Sequence, residues 1–158
     1  MNIIGIDPGA TGALAAITPA GGLQVIPFRP LYHRDRGTLT RQIVETLRSL
    51  TPCVVYMELV HAMPRDGKRS SFAFGEANAF IRTTLEFLEL HTTFVPPQTW
   101  QQFLGLGRRF PSTKERKIAH HALAVTLYPR NKDINKATAD AVLIAEYGWR
   151  QIHGSTSV

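Results

Sequence analysis

The stretch Asn2-Ile3-Ile4-Gly5-Ile6-Asp7-Pro8-Gly9-Ala10-Thr11-Gly12 opens the chain after its first methionine. An apolar run that ends in an acid and breaks at once into Pro-Gly and Thr-Gly is a strand entering a turn, with Asp7 at its carboxyl end. Two more runs, 13–18 and 23–28, are separated by Pro19, Gly21 and Gly22. The first 28 residues therefore read as a three-stranded antiparallel meander. Further on, Cys53-Val54-Val55-Tyr56-Met57 is an unbroken apolar run, the pattern of a buried strand, and Glu58 follows it directly. A fifth strand is expected at 92–95, closed by Pro96-Pro97.

Helices fill the intervals. Residues 38–50 carry Ile43, Leu47 and Leu50 at helical spacing. Residues 29–37 read as a polar loop and 59–70 as a basic one. A long helix is expected over 72–90, with one apolar line at Phe74, Ala77, Ile81, Leu85 and Leu88 and a second at Phe80, Thr84 and Phe87. Such a helix is buried on two sides, either by the sheet and a second subunit or wholly within one core. A short helix spans 98–104. Ser112-Thr113-Lys114-Glu115 is a capping box that opens a helix to about residue 127. The last helix is expected over 136–150. Strands first, then helices alternating with strands, define an α/β fold with one mixed five-stranded sheet and helices on both faces. One domain covers 1–150, followed by a flexible tail at 151–158.

The 158 residues suffice for one hydrophobic core, and the 44% apolar content is that of a globular chain. The formal charge of +6 points to an anionic partner, most often nucleic acid. With one cysteine, Cys53, no disulfide framework or cysteine zinc site can form within the chain. No signal-peptide pattern opens the sequence and no run approaches the ~20 apolar residues of a membrane span, so a soluble, intracellular protein with no membrane partner is expected.

Three acids stand at the ends of apolar elements: Asp7, Glu58, and Asp140 in the first turn of the last helix, on the same side as Ile144. Each has an ordinary explanation alone, as a turn residue, a loop acid or a helix N-terminal charge. Together, two strand-end acids and one helix acid can converge if the strands are neighbours and the helix crosses them. Converging carboxylates repel, and a hard cation such as Mg²⁺ or Mn²⁺ relieves the repulsion through oxygen ligands. Two such ions, ~4 Å apart, can activate water and stabilise the leaving oxygen of a phosphodiester.

The ordered set of motifs resembles the RuvC-type Holliday junction resolvases of the ribonuclease H-like superfamily. Ile4-Gly5-Ile6-Asp7-Pro8-Gly9 with Thr11-Gly12 looks like their first acidic motif, and Met57-Glu58-Leu59-Val60 like the second. The segment Ser70-Ser71-Phe72-Ala73-Phe74-Gly75-Glu76-Ala77 is similar to the start of their interface helix. Pro97-Gln98-Thr99-Trp100, Ser112 to Lys117, and Ala139-Asp140-Ala141 follow in the family's order. The resemblance implies a ribonuclease H-like fold and a homodimeric, Mg²⁺-dependent endonuclease that makes paired nicks in four-way DNA junctions. It also implies Asp7, Glu58 and Asp140 as metal-binding, catalytic carboxylates, with Mn²⁺ as a substitute ion. The small size suits a phage-type relative, acting on DNA in the cytoplasm of a bacterial or phage-infected cell.

One departure stands out. The family has an acid or a histidine three or four residues before the last aspartate, where this chain has Ala137 and Lys136. Lys136 can touch a scissile phosphate or replace part of a metal's charge, and so joins the catalytic candidates. Asp133, seven residues upstream of Asp140 and about 10 Å away along a helix, reaches the site only if residues 133–136 are irregular; otherwise it is a loop or cap residue. Arg65, Lys68, Arg69, Arg108, Arg109, Lys114 and Lys117 are the candidate DNA-binding cations. Lys114, Arg116 and Lys117 begin a helix, where cations oppose its dipole, so an anion is needed to explain them. His61, Met63 and Phe72 flank the loop after Glu58 and are candidate wedges into an opened junction. Adjacent helical residues point apart, which argues against a zinc shared by His120 and His121. Two alternatives remain: a nuclease of this fold acting on structured RNA, and a junction-binding module with a weakened site.

Overall fold

A computed structural model describes residues 1–60, 68–107 and 109–154, with only the backbone of 68–70. Its five strands are β1 (Asn2–Asp7), β2 (Ala13–Ile17), β3 (Leu23–Pro27), β4 (Cys53–Glu58) and β5 (Thr92–Val95). They form one mixed sheet in the order β3-β2-β1-β4-β5. β1–β2 and β2–β3 are antiparallel, whereas β1–β4 and β4–β5 are parallel. The helices are α1 (Arg29–Tyr32), α2 (Arg36–Ser49), α3 (Lys68–Phe87), α4 (Pro97–Phe103), α5 (Thr113–Leu127) and α6 (Ala139–His153).

The two-residue period of the strands sorts the core into two halves. Ile4, Ile6, Leu14, Ala16, Val55 and Met57 point to one face and pack with α1, α2 and α3. Ile3, Ala13, Ala15, Ile17 and Tyr56 point to the other and pack with α4, α5 and α6. By the same alternation Gly5 and Asp7 on β1, and Glu58 on β4, belong to the α6 face. The sheet therefore carries helices on both faces, as the sequence pattern predicts.

α6 lies directly on β1. A Cβ added to Gly5 would overlap the backbone of Ala141 and Ala145, and one added to Gly148 would overlap the Tyr56 ring. Ala141, Ala145 and Gly148 are spaced to share one helix face, and glycine or alanine at each crossing point lets the backbones meet. Residues 139–146 of α6 are all buried, because the helix is enclosed by the sheet beneath it and by α5 beside it.

Several boundaries differ from the sequence expectation, each for a local reason. Within the expected polar loop, α1 forms with Pro30 in its first turn and buries Phe28 and Tyr32. α2 starts at Arg36 because Asp35 caps it, its carboxylate accepting from the Thr38 amide at 2.9 Å. α3 begins one turn earlier than expected and its second apolar line divides. Phe80 packs inward, edge-on to Tyr32 at 6.1 Å, and Thr84 is buried, while Phe87 is 76% exposed. α6 begins at Ala139 rather than 136, because the Asn135 side chain accepts from the Ala137 amide at 2.8 Å and holds a turn. It runs past Arg150 to His153, so residues 151–153 are helical. Among the described residues no helix is long and apolar enough to cross a membrane.

The Gly5–α6 contact generates the first prediction. Gly5→Ala puts a methyl group against backbone that cannot rotate away, so its cost should reach or exceed the upper end of the about 1–3 kcal/mol typical of overpacking. Urea unfolding of the variant measures this, and an unchanged midpoint would mean that α6 does not rest on β1.

Candidate active site

Asp7 and Glu58 end neighbouring parallel strands. The register pairs Gly5 with Tyr56 and Ile6 with Met57, so its continuation sets Asp7 beside Glu58 on the α6 face. Asp140 enters from above, in the first turn of α6, one residue before the Ala141 backbone that rests on Gly5. The turn after β1 closes around Asp7. The Gly12 amide donates to the Gly9 carbonyl at 2.8 Å, the Gly9 amide donates to Asp7 Oδ1 at 3.2 Å, and a side chain at Gly12 would strike the Asp7 backbone.

Each of the other two acids is held by a fully buried ring, and Asp140 also by a partly exposed lysine. Glu58 Oε1 accepts from Trp100 Nε1 at 3.1 Å, and Trp100 is fully buried in α4. Asp140 Oδ2 accepts from Lys117 Nζ at 2.7 Å, and Oδ1 lies 2.8 Å from His120 Nδ1. Lys117, His120 and Ala124 are spaced to share the face of α5 that meets α6, and His120 and Ala124 are fully buried.

The electrostatics follow from burial and crowding. Burial first, then the charge of Asp140, raises the Asp7 carboxyl to about 6, against partial relief from Lys117, the Gly9 amide and Arg116. Burial and the charges of Asp7 and Asp140 raise Glu58 to about 7, opposed by the Trp100 hydrogen bond and Lys117. Burial would also raise Asp140, but the bond from His120 and the adjacent Lys117 ammonium outweigh it and hold the carboxyl below its ordinary value. Lys117 is correspondingly raised, because its attraction to Asp140 exceeds the cost of its own burial.

The structure thus brings Asp7, Glu58 and Asp140 together and adds Lys117, expected on the DNA-binding surface. The start of α5 has an internal anion for one of its lysines, so external phosphate is not required to explain that one. Lys136 is exposed in the turn before α6, and the positive charges that lower the Asp7 carboxyl are those of Lys117 and Arg116. Asp133 is an exposed turn residue, its backbone carbonyl accepting from the Thr138 hydroxyl at 2.9 Å. Arg109 and Lys114 are exposed near the start of α5, and Phe72 is 77% exposed on α3. His61, Met63, Arg65 and Arg108 lie outside the described residues, and Lys68 and Arg69 are described only as backbone at the start of α3.

Trp100 and His120 were not singled out as site residues by sequence. The signal that finds His120 is the helical line Lys117–His120–Ala124 on α5. It is masked by a competing line through Ile118 and Val125, which are 44% and 37% exposed. Among the described residues no three histidine, cysteine or acidic side chains form a ready-made metal cage. The donor chemistry nevertheless fits a hard divalent cation. Three crowded carboxylates supply oxygen donors, and two of them are pushed toward protonation by burial first and then by a mutual repulsion that such a cation would offset. Asp7 and Glu58 would contribute the oxygens not taken by Gly9 and Trp100, and Asp140 its Oδ2 in exchange for Lys117.

An antiparallel meander continued by the parallel strands β4 and β5, with helices on both faces, is a ribonuclease H-like fold. More particularly, the chain has the fold of RuvC. It matches the Thermus thermophilus RuvC in complex with a Holliday junction substrate at a TM-score of 0.66 and 16% identity, covering 98% of each chain. A second Thermus thermophilus RuvC structure matches at 0.63 and 19% identity, over 98% of this chain and 97% of that one. No family model matches the sequence, and no curated protein does.

The carboxyl shifts predict an unusual pH response in cation-free protein. At values near 6 and 7 the folded state retains protons that the unfolded chain, with ordinary carboxyl values near 4, has released. These two groups therefore favour folding most at low pH, and their contribution is lost as pH rises through about 6 and 7. In EDTA the melting temperature should fall by several degrees between about pH 5 and pH 8, and Asp7→Asn should flatten that fall. Millimolar Mn²⁺ should restore the loss at pH 8. A flat profile in EDTA would mean that the acids are not crowded.

Proposed function

We propose that the chain is a divalent-cation-dependent endonuclease that resolves four-way or other branched DNA by paired hydrolysis of phosphodiester bonds. The observation that carries this reading is the convergence of Asp7, Glu58 and Asp140 at one end of a sheet whose fold matches RuvC along its whole length. One of the matched structures is a complex with a Holliday junction substrate, which favours branched DNA over a structured RNA. The +6 charge suits either nucleic acid.

When bound, Mg²⁺, or Mn²⁺ in its place, supplies Lewis-acid stabilisation of the phosphate and a nucleophilic water at neutral pH. The chain's own residues do the rest. Asp7 and Glu58 each keep one oxygen tied by the protein and one to offer. Lys117, released from Asp140, can neutralise a phosphate oxygen next to the cluster. Arg109 and Lys114, exposed near the start of α5, extend positive potential for DNA backbone contacts that carry affinity rather than sequence information.

The test is incubation with a synthetic four-way junction, a linear duplex and an RNA stem, with and without Mg²⁺ or Mn²⁺. Symmetric nicks in the junction are expected only with the cation. Asp7→Asn should lower the cutting rate at least about a hundredfold, more than the loss of an outer-shell partner typically costs. Its junction affinity in Ca²⁺ should stay close to wild type. Cleavage by Asp7→Asn at the wild-type rate would overturn the metal site. One observation favours a junction-binding module with a weakened site, the engagement of both Asp140 oxygens. Tight junction binding without cutting in either metal would select it.

A homodimer is part of the same proposal, because two sites related by a twofold axis match the symmetry of a four-way junction. α3 supports it. Gly75, Ala79, Thr83 and Phe87 recur every fourth residue on an exposed face, and a side chain at Gly75 would meet nothing within 4 Å. Small residues at that spacing let a second helix approach, and Phe72 and Phe87 lie near the ends of the face. Ala79→Glu with Phe87→Glu should convert a dimer into a monomer by light scattering at micromolar concentration and abolish paired nicking. A wild-type monomer with full junction cleavage would exclude this arrangement.

A further inference from the structure

His120 and Trp100 belong together in the architecture. Both are fully buried, their ring centroids stand 5.2 Å apart in an edge-to-face contact, and Phe110 closes on His120 at 6.1 Å. Each ring presents one nitrogen to a carboxylate of the candidate site: Trp100 Nε1 to Glu58 Oε1 at 3.1 Å, and His120 Nδ1 to Asp140 Oδ1 at 2.8 Å. An ionised Asp140 can only accept, so the His120 hydrogen sits on Nδ1 and Nδ1–H donates. The other nitrogen, Nε2, is buried with no hydrogen-bond partner among the described residues. A side chain needed only for packing would not bring a polar atom into such a space; leucine or phenylalanine would fill it without one. The imidazole is explained by its Nδ1 contact.

We propose that His120 is a positioning residue: paired with Trp100, it fixes one oxygen of Asp140 so that the remaining carboxylate oxygens of the cluster are pre-oriented for a divalent cation. The inference rests on the metal-site reading above and extends it to a pair of packed rings, one on α4 and one on α5. Trp100 fixes Glu58 from the β4 side, His120 fixes Asp140 from the α6 side, and the edge contact between the rings couples the two. Asp140 is thereby left with Oδ2, held by Lys117, as its exchangeable oxygen. The arrangement resembles in its physics the outer-shell groups that orient metal ligands elsewhere, whose loss typically weakens metal binding about 10–100-fold.

Three variants isolate the contact. His120→Leu fills the space without a donor, His120→Asn places an amide N–H near the Nδ1 position, and Trp100→Phe keeps the ring contact but removes the Glu58 donor. The primary readout is Mn²⁺ affinity of the DNA-free protein, by electron paramagnetic resonance of free Mn²⁺, with circular dichroism melting to confirm folding. Expected are a loss of about 10–100-fold in His120→Leu, recovery of most of it in His120→Asn, and a non-additive loss in Trp100→Phe with His120→Leu. A second readout needs no metal. In ¹⁵N-histidine-labelled protein His120 should be the Nδ1–H tautomer, with an exchange-protected proton whose signal moves in Asp140→Asn. A folded His120→Leu that binds Mn²⁺ as tightly as wild type overturns the inference alone. So does an asparagine variant as weak as the leucine one, or an Nε2–H tautomer. A wild type that binds no Mn²⁺ overturns the metal-site reading, and with it the purpose assigned here to His120.

Discussion

The contact on which the rest depends is backbone against backbone: α6 resting on β1 at Gly5. A helix on a sheet normally stands off by the thickness of its side chains. Here the glycine and the Ala141–Ala145–Gly148 face remove that spacer over β1 and β4. The consequence is positional. Asp140 precedes Ala141 by one residue, and Asp7 follows Gly5 by two on the same strand face, so the close approach that seats the helix also brings the two acids into electrostatic contact. The parallel pairing of β1 with β4 adds Glu58 at the same level. The acids do not find one another by attraction; the fold forces them together against repulsion.

That repulsion is managed unevenly. Asp140 receives a histidine N–H and a lysine ammonium and remains an anion. Asp7 and Glu58 receive one neutral donor each, from Gly9 and Trp100, too little to offset burial and the neighbouring negative charge. The cluster is therefore polarised, with one charge held and two frustrated. A divalent cation is the species whose arrival would relieve the frustrated pair, which is why the geometry is better read as a receptive site than as a finished salt-bridge network.

How much of this could be read from the sequence depended on the period of each element. Strands alternate, so the meander, the buried β4 run and the acids at their ends were legible, and so was the sheet with helices on both faces. Asp140 was legible as a first-turn residue, although the start of α6 was misplaced because the side-chain turn at Asn135 competes with helix and leaves no trace in the apolar pattern. α5 misled most. Its inward line is Lys117–His120–Ala124, with His120 and Ala124 fully buried, while Ile118 and Val125 look outward, so polarity and burial run opposite to the usual rule. A pattern argument assumes that apolar means inside. It fails where a cation and an imidazole occupy the inner face, as Lys117 and His120 do beside Asp140.

The same helix supplies a control for the functional interpretation. Glu146, also buried on α6, has both oxygens satisfied: the Tyr128 hydroxyl donates to Oε2 and Arg150 Nε donates to Oε1, each at 2.6 Å. One carboxylate with a cation and a hydroxyl is a closed unit, and burial with complete pairing is what structure alone requires. In the cluster two turns earlier only Asp140 meets that standard. Its acids outnumber the cation paired with them, oxygens on Asp7 and Glu58 are left to offer, and the buried His120 keeps a nitrogen without a partner among the described residues. Had the fold needed only stability at that end of α6, the Glu146 arrangement shows the solution available to it. The cluster lacks that closure, and its unpaired oxygens are the feature on which the proposed cation site rests.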